Sequence, residues 1–233
     1  MQPYLLPVDL IVAGVILFGP AIVTSLRAPR VGSLSETENP ETQEPEEYRF
    51  TVKENLWAIV SQLVQLGLAM GYLCLRGYDP LGFRFSITPE TVLASIALFC
   101  FLGFGMDFIT SMKDGFGWIP KLLRNNIPLV SAAEGMEPSL IAYSLLNGFY
   151  EEFFFLGLCT AVAPQYALPA FAFSLIVRVA IHIYQGWFTA LSMSLFLGIS
   201  YFLLYTHVSD NLFLYAMSHG LADLFGLSLF NIL

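Results

Sequence analysis

Along this chain, apolar residues run in stretches of about 20, the length an α-helix needs to cross the hydrocarbon core of a bilayer. Such runs lie at about 5–26, 56–75, 91–112, 139–162, 167–187, 188–206 and 211–231. They predict an all-α, polytopic transmembrane helix bundle of about six to eight helices. The loops after 167–187 and 188–206 are so short that 167–206 also reads as one helical hairpin. The polar breaks divide the chain into an N-terminal transmembrane anchor (1–30), an acidic polar loop (31–55), helices with an interfacial segment (56–138) and a core (139–233) that collects the unusual polar residues.

Composition agrees with lipid as the solvent. Of 233 residues, 56% are hydrophobic and 12% charged, and the mean hydropathy is +0.68; a soluble domain carries roughly a quarter charged residues. The expected location is an integral, multi-pass one, the cytoplasmic (inner) membrane if the source is bacterial. The first apolar run lacks a basic leader, carries Asp9 and is followed by Arg27 and Arg30 without a small-residue cleavage site, so it reads as an uncleaved anchor.

Lys and Arg favour cytoplasmic loops. Arg27, Arg30, Arg49 and Lys53 fall between the first two runs and Lys113, Lys121 and Arg124 between the third and fourth, which predicts an external N-terminus. The formal charge of −8 comes largely from "SETENPETQEPEEY" at 35–48, which reads as a solvated loop. No internal repeat and no nucleic-acid-binding surface is evident. Cys74, Cys100 and Cys159 lie in apolar runs without metal or disulfide spacing and read as packing residues.

An ionisable group inside a span is costly, so each one is a functional-site candidate. In the fourth run, "LLNGFYEEFFFLGL" sets Asn147 and Glu151 four residues apart on one helix face, while Glu152 points about 100° away. In the fifth, "RVAIHIYQG" sets Arg178 and His182 at the same spacing; a buried arginine needs an acidic partner, and Glu151, Glu152 and Asp223 are available. In the last, "YAMSHGLADLFG" pairs His219 with Asp223, an acid able to orient the histidine or to neutralise Arg178. His207, with Asp210, reads as a loop residue. Three helices each offering a polar pair predict a polar cavity between them.

A carboxylate with two histidines suits general-base activation of water, a second imidazole stabilising the oxyanion. Glu151, His182 and His219 would equally suit zinc with an open position. Residue types alone leave both chemistries open. No G-x-S-x-G elbow, H-E-x-x-H helix or Gly-rich phosphate loop is present.

In order and spacing, "EEFFFLG", "RVAIHIYQG" and "HGLAD" resemble the three motifs of the CPBP family of intramembrane proteases, the CAAX prenyl endopeptidase or Abi type. Those motifs read approximately E-E-x-x-x-R, F-x-x-x-H (often with Arg first) and H-x-x-x-N/D, and the resemblance covers about 139–226. It implies that Glu151 activates the attacking water with help from His182, that His219 and Asp223 contribute to the oxyanion site, and that Glu152 supports them. It further implies a helical membrane bundle and a peptide or protein substrate at the membrane, prenylated in eukaryotic members; the water-activation mechanism itself requires no cofactor, with zinc left possible. Two positions depart from the motifs. Leu156 stands where the family has Arg, a charge Arg178 is expected to supply, and Asp223 stands for Asn, where it is expected to orient His219 or pair with Arg178.

The leading expectation is therefore an intramembrane endopeptidase of the Glu/His-activated-water type. The alternatives are a non-proteolytic binding or immunity protein that keeps the cavity, and a proton-coupled transporter, whose relays use the same residue types. Inactivation by Glu151→Gln separates the enzyme from the binder, and flux driven by a proton gradient identifies the transporter.

Overall fold

A computed structural model describes residues 3–28, 51–113 and 137–226. Its long elements are α1 (Pro7–Arg27), α2 (Val52–Leu75), α3 (Pro89–Lys113), α4 (Pro138–Glu152), α5 (Ala167–His182), α6 (Trp187–His207) and α7 (Leu212–Phe225). The described residues thus hold seven α-helices and no strand, the all-α bundle that the apolar runs predict. Five stretches, containing α1, α2, α3, α5 and α6, are long and apolar enough to cross a membrane, and the chain is an integral, multi-pass membrane protein. Many large apolar side chains lie exposed along them, including Trp57, Leu68, Leu93 and Ile176; in a bilayer these face lipid.

Local chemistry sets the helix ends. Pro7 opens α1 and Pro138 opens α4 at the first helical positions, where a missing N–H costs nothing. Thr51 and Glu54 form a reciprocal capping box, so α2 begins at Val52, four residues before its apolar run and inside the segment assigned to the acidic loop. The 35–48 stretch itself lies outside the described residues, as do Arg30, Arg49, Lys121, Arg124 and 227–231. Between α5 and α6 the chain turns through a single 3-10 turn (Ile183–Gln185) and Gly186 at φ 95°, closing the expected hairpin.

The fourth apolar run is not one uniform helix. α4 passes directly into a π-helical turn, Phe153–Leu158, which ends in an irregular segment before the 3-10 turn Pro164–Tyr166. The widened turn begins immediately after Glu151 and Glu152, and π-turns are frequent at functional sites.

Small residues bring α4 and α7 together. A Cβ on Gly148 would fall on the Ala216 carbonyl oxygen and within 2.6 Å of the Gly220 nitrogen, while one on Gly220 would lie 3.0 Å from the Ser144 carbonyl oxygen. Ser144 and Gly148, four apart on one helix, thus face Ala216 and Gly220, four apart on the other, in the small-xxx-small packing of membrane helices.

The N-terminal helix is a wall of the core rather than only an anchor. Ala13, Leu17 and Phe18 are buried, and Phe18 packs against Tyr150, Phe154 and Phe155. Asp9 is buried and accepts from Tyr72 Oη at 2.6 Å and Arg76 Nε at 2.9 Å, clamping α1 to the end of α2. At the same end of the bundle, Asn211 caps α7 and ties it to Ser86, and Arg84 meets Asp210 at 3.3 Å. Of the three cysteines only Cys159 is buried; Cys74 and Cys100 are exposed, so the packing role expected of all three is filled by Cys159.

Candidate active site

Glu152, Arg178 and His219 form the buried floor of the polar cluster. Arg178 Nη2 lies 2.9 Å from both Glu152 oxygens, and His219 Nδ1 lies 2.7 Å from Glu152 Oε1. Side-chain exposure is 3% or less for the Arg178–Glu152 pair, so lipid and water are both excluded and the pairing is what makes these charges tolerable. The Arg178 guanidinium also sits over the Phe155 ring, 4.0 Å from its centroid, a further cation contact. Gly198 on α6 lies beside this packing: a Cβ there would fall 2.5 Å from Leu175 Cδ2 while keeping ordinary contact, at 3.7 Å, with Arg178 Cδ and Nε.

This arrangement chooses among the partners open to Arg178. Glu152 takes the guanidinium, from the helix next to the one where Leu156, itself buried, replaces the motif arginine. Glu152 also meets His219 through Nδ1, so of the two roles expected of Asp223 the pairing with Arg178 is taken, and a 3.6 Å ion pair with His219 Nε2 is what Asp223 keeps. Asp223 Oδ2 instead accepts from Asn147 Nδ2 at 2.7 Å, and its Oδ1 is 3.6 Å from His219 Nε2. One turn of helix separates His219 from Asp223, but the ring is already committed through Nδ1 to the carboxylate on α4.

Glu151 occupies the space above this floor. Asn147 Nδ2 donates to its Oε1 at 3.2 Å. Its Oε2 is buried, has no hydrogen-bond partner among the described residues and faces His219 Nε2 at 3.8 Å. A water about 2.8 Å from each atom would bridge that gap with ordinary hydrogen-bond lengths.

His182 stands at the end of α5. Its Nδ1 lies 2.7 Å from the Arg178 carbonyl oxygen; a carbonyl only accepts, so Nδ1 carries the proton and Nε2 is left with its lone pair. The ring is within electrostatic range of Glu151 and His219. All seven residues singled out by spacing, Asn147, Glu151, Glu152, Arg178, His182, His219 and Asp223, thus belong to one cluster. Asp223, with a side chain 27% exposed, is its open edge. His207 stays outside it, exposed at the far end of α6.

The donor set does not fit a closed metal site. Among the described residues no three His, Cys, Asp or Glu side chains converge as metal ligands, and His219 presents to Glu151 only the nitrogen opposite its Glu152 bond. The proposed zinc set of Glu151, His182 and His219 is therefore not assembled in this conformation.

Several partners lack a signal in the helical spacing of charged residues. Gln62 and Gln65 on α2 reach α4: Gln62 Nε2 donates to Asn147 Oδ1 at 2.5 Å, and Gln65 bonds to the Tyr150 hydroxyl at 2.9 Å. The same hydroxyl is also within hydrogen-bond reach of the Leu17 carbonyl of α1, the two oxygens sharing its one proton. Tyr143 and Tyr184 lie in electrostatic range of Glu151 and Asp223. Tyr201 reaches Ser218, beside His219, at 3.1 Å. The one sequence clue is that Gln62 and Gln65 are amides inside a span, which carry a desolvation cost of their own.

Residues 135–225, which run from just before α4 to the end of α7, match the family described as Rce1-like, Type II CAAX prenyl endopeptidase Rce1-like. No curated protein and no solved structure matches the chain.

Proposed function

We propose that this membrane protein, whose residues 135–225 belong to the Rce1-like family of type II CAAX prenyl endopeptidases, is an intramembrane endopeptidase in which Glu151 activates water. The observation that carries the reading is the buried, unpartnered Glu151 Oε2, 3.8 Å from His219 Nε2. Glu151 takes a proton from the bridging water, and the resulting hydroxide adds to the scissile carbonyl carbon. The oxyanion is stabilised by His219, which donates from Nε2 when its ring carries both protons, since Nδ1 already serves Glu152. The proton held by Glu151 then passes to the departing amine, and no covalent enzyme intermediate forms.

His182 assists the deprotonation through its free Nε2. Asn147 and Asp223 hold the open side of the site, and Arg178 keeps Glu152 ionised as the fixed support of His219. The substrate is a peptide or protein segment at the membrane, prenylated near its C-terminus if the chain shares the substrate class in its family's description. The exposure of Asp223, beside Tyr143 and Tyr184, marks the side from which such a segment enters.

The test is cleavage by purified protein in detergent of matched peptides with and without a prenylated C-terminal cysteine, read by mass spectrometry, with and without chelator. The expected result is cleavage of the prenylated peptide that survives the chelator. Loss of cleavage on chelation would overturn the metal-free mechanism, and equal cleavage of both peptides would remove the prenyl requirement. Stable capture of peptide by a folded protein that cuts nothing would replace the enzyme with a binding protein.

A further inference from the structure

The family match begins at residue 135, yet the hydrogen bonds of the cluster extend beyond it to α2. Asn147 Nδ2 lies 3.2 Å from Glu151 Oε1 and 2.7 Å from Asp223 Oδ2. Both are carboxylates, so the amide must turn its NH2 toward them, one hydrogen to each. Asn147 Oδ1 is thereby forced to face α2, where Gln62 Nε2 meets it at 2.5 Å. A reversed Asn147 amide would set its oxygen against two acceptors and its NH2 against a donor.

We infer that Gln62 is a positioning residue for Glu151: by donating to Asn147 Oδ1 it fixes the direction of that amide, and the fixed amide holds Glu151 Oε1 while Oε2 stays free. Without the donor, Asn147 Oδ1 becomes a buried acceptor with no partner, and rotation of the amide releases the carboxylate. The inference rests on the proposed peptidase reading, because it assigns Gln62 to the same reaction.

Helix docking does not depend on this bond. Asn55 donates to Ser139 at 3.1 Å on one side of it, and Gln65 meets Tyr150 on the other. Both bonds remain when Gln62 is changed, so a variant at this position is expected to fold.

The experiment uses the full chain in proteoliposomes and a quenched-fluorescent peptide with a prenylated C-terminal cysteine. Gln62→Leu is expected to lower kcat about tenfold with KM within about twofold of wild type, the mark of an interaction used in the transition state. In Gln62→Glu the introduced side chain can donate to Asn147 only as the neutral acid, so its kcat relative to wild type should rise as pH falls, while that of Gln62→Leu should not. The double variant Gln62→Leu with Asn147→Ala should be no slower than Asn147→Ala alone. Wild-type kcat in Gln62→Leu, a pH-independent loss in Gln62→Glu, or additive losses would each overturn the inference.

Thermal unfolding of wild type, Gln62→Leu, Asn147→Ala and the double variant in detergent gives a reading that needs no catalysis. Non-additive midpoint shifts support the Gln62–Asn147 pairing and additive ones overturn it. If wild type cuts no peptide, the peptidase reading fails while this cycle still decides the pairing.

Discussion

Glu152 is wholly buried and receives both Arg178 and His219. Removing one partner of a buried ion pair typically costs about 3–5 kcal/mol, because the other charge remains uncompensated. Arg178→Ala should therefore lower the unfolding midpoint in detergent and abolish cleavage as severely as Glu151→Gln, whereas Arg178→Lys, which keeps the charge, should retain part of both. Thermal unfolding and peptide cleavage on the same preparations check the pair of outcomes. The individual residues were legible because each costly polar group recurs at helical spacing: Asn147 with Glu151, Arg178 with His182, His219 with Asp223. The choice of Glu152 over Asp223 as the partner was not, since spacing within a helix says which residues share a face and nothing about the height at which a neighbouring helix presents its own.

The contact between α4 and α7 places Asn147, Glu151 and Glu152 against His219 and Asp223, and it rests on Gly148 and Gly220 having no side chains. Overpacking a close contact typically costs about 1–3 kcal/mol. Gly148→Leu should exceed that range, since its Cβ alone collides with backbone, and cleavage should disappear together with a fall in the unfolding midpoint. Leu68→Ala, at an exposed position of α2, is the control expected to keep both. In the first turn of α1, Asp9→Ala removes the acceptor of Tyr72 and Arg76; a lowered midpoint with unchanged KM is the expected result. Among the elements, the spans were readable from apolar length but the start of α2 was not, since its polar T-V-K-E turn fell inside the expected acidic loop. Nor was the π-turn at Phe153–Leu158, because it is a change of hydrogen-bond register within an uninterrupted apolar run.

Across the whole molecule, successive helices alternate in direction: Asp9 of α1 meets the last turn of α2, Leu5 pairs with Ala161 after the π-turn, and Ser25 at the end of α1 bonds to Tyr184 after α5. Arg27 and Lys53 thus share one end of the bundle and Arg76 and Arg84 the other. If the first end is cytoplasmic, then in a cysteine-free background Ala28→Cys should react with an impermeant thiol reagent only from the cytoplasmic side and Asp79→Cys only from the opposite side; the reverse pattern would invert the topology. The bundle as a whole was legible, but the part of α1 and α2 in completing the cluster was hidden, since Leu17 offers only a carbonyl and Gln62 carries no charge. The most direct measurement of the central claim is single-turnover cleavage of the prenylated peptide by wild type and Glu151→Gln at equal folded concentration. General-base catalysis contributes about 10²–10⁴-fold, so the variant is predicted to be slower by at least that lower bound with its unfolding midpoint retained. Cleavage by Glu151→Gln at the wild-type rate would contradict the account.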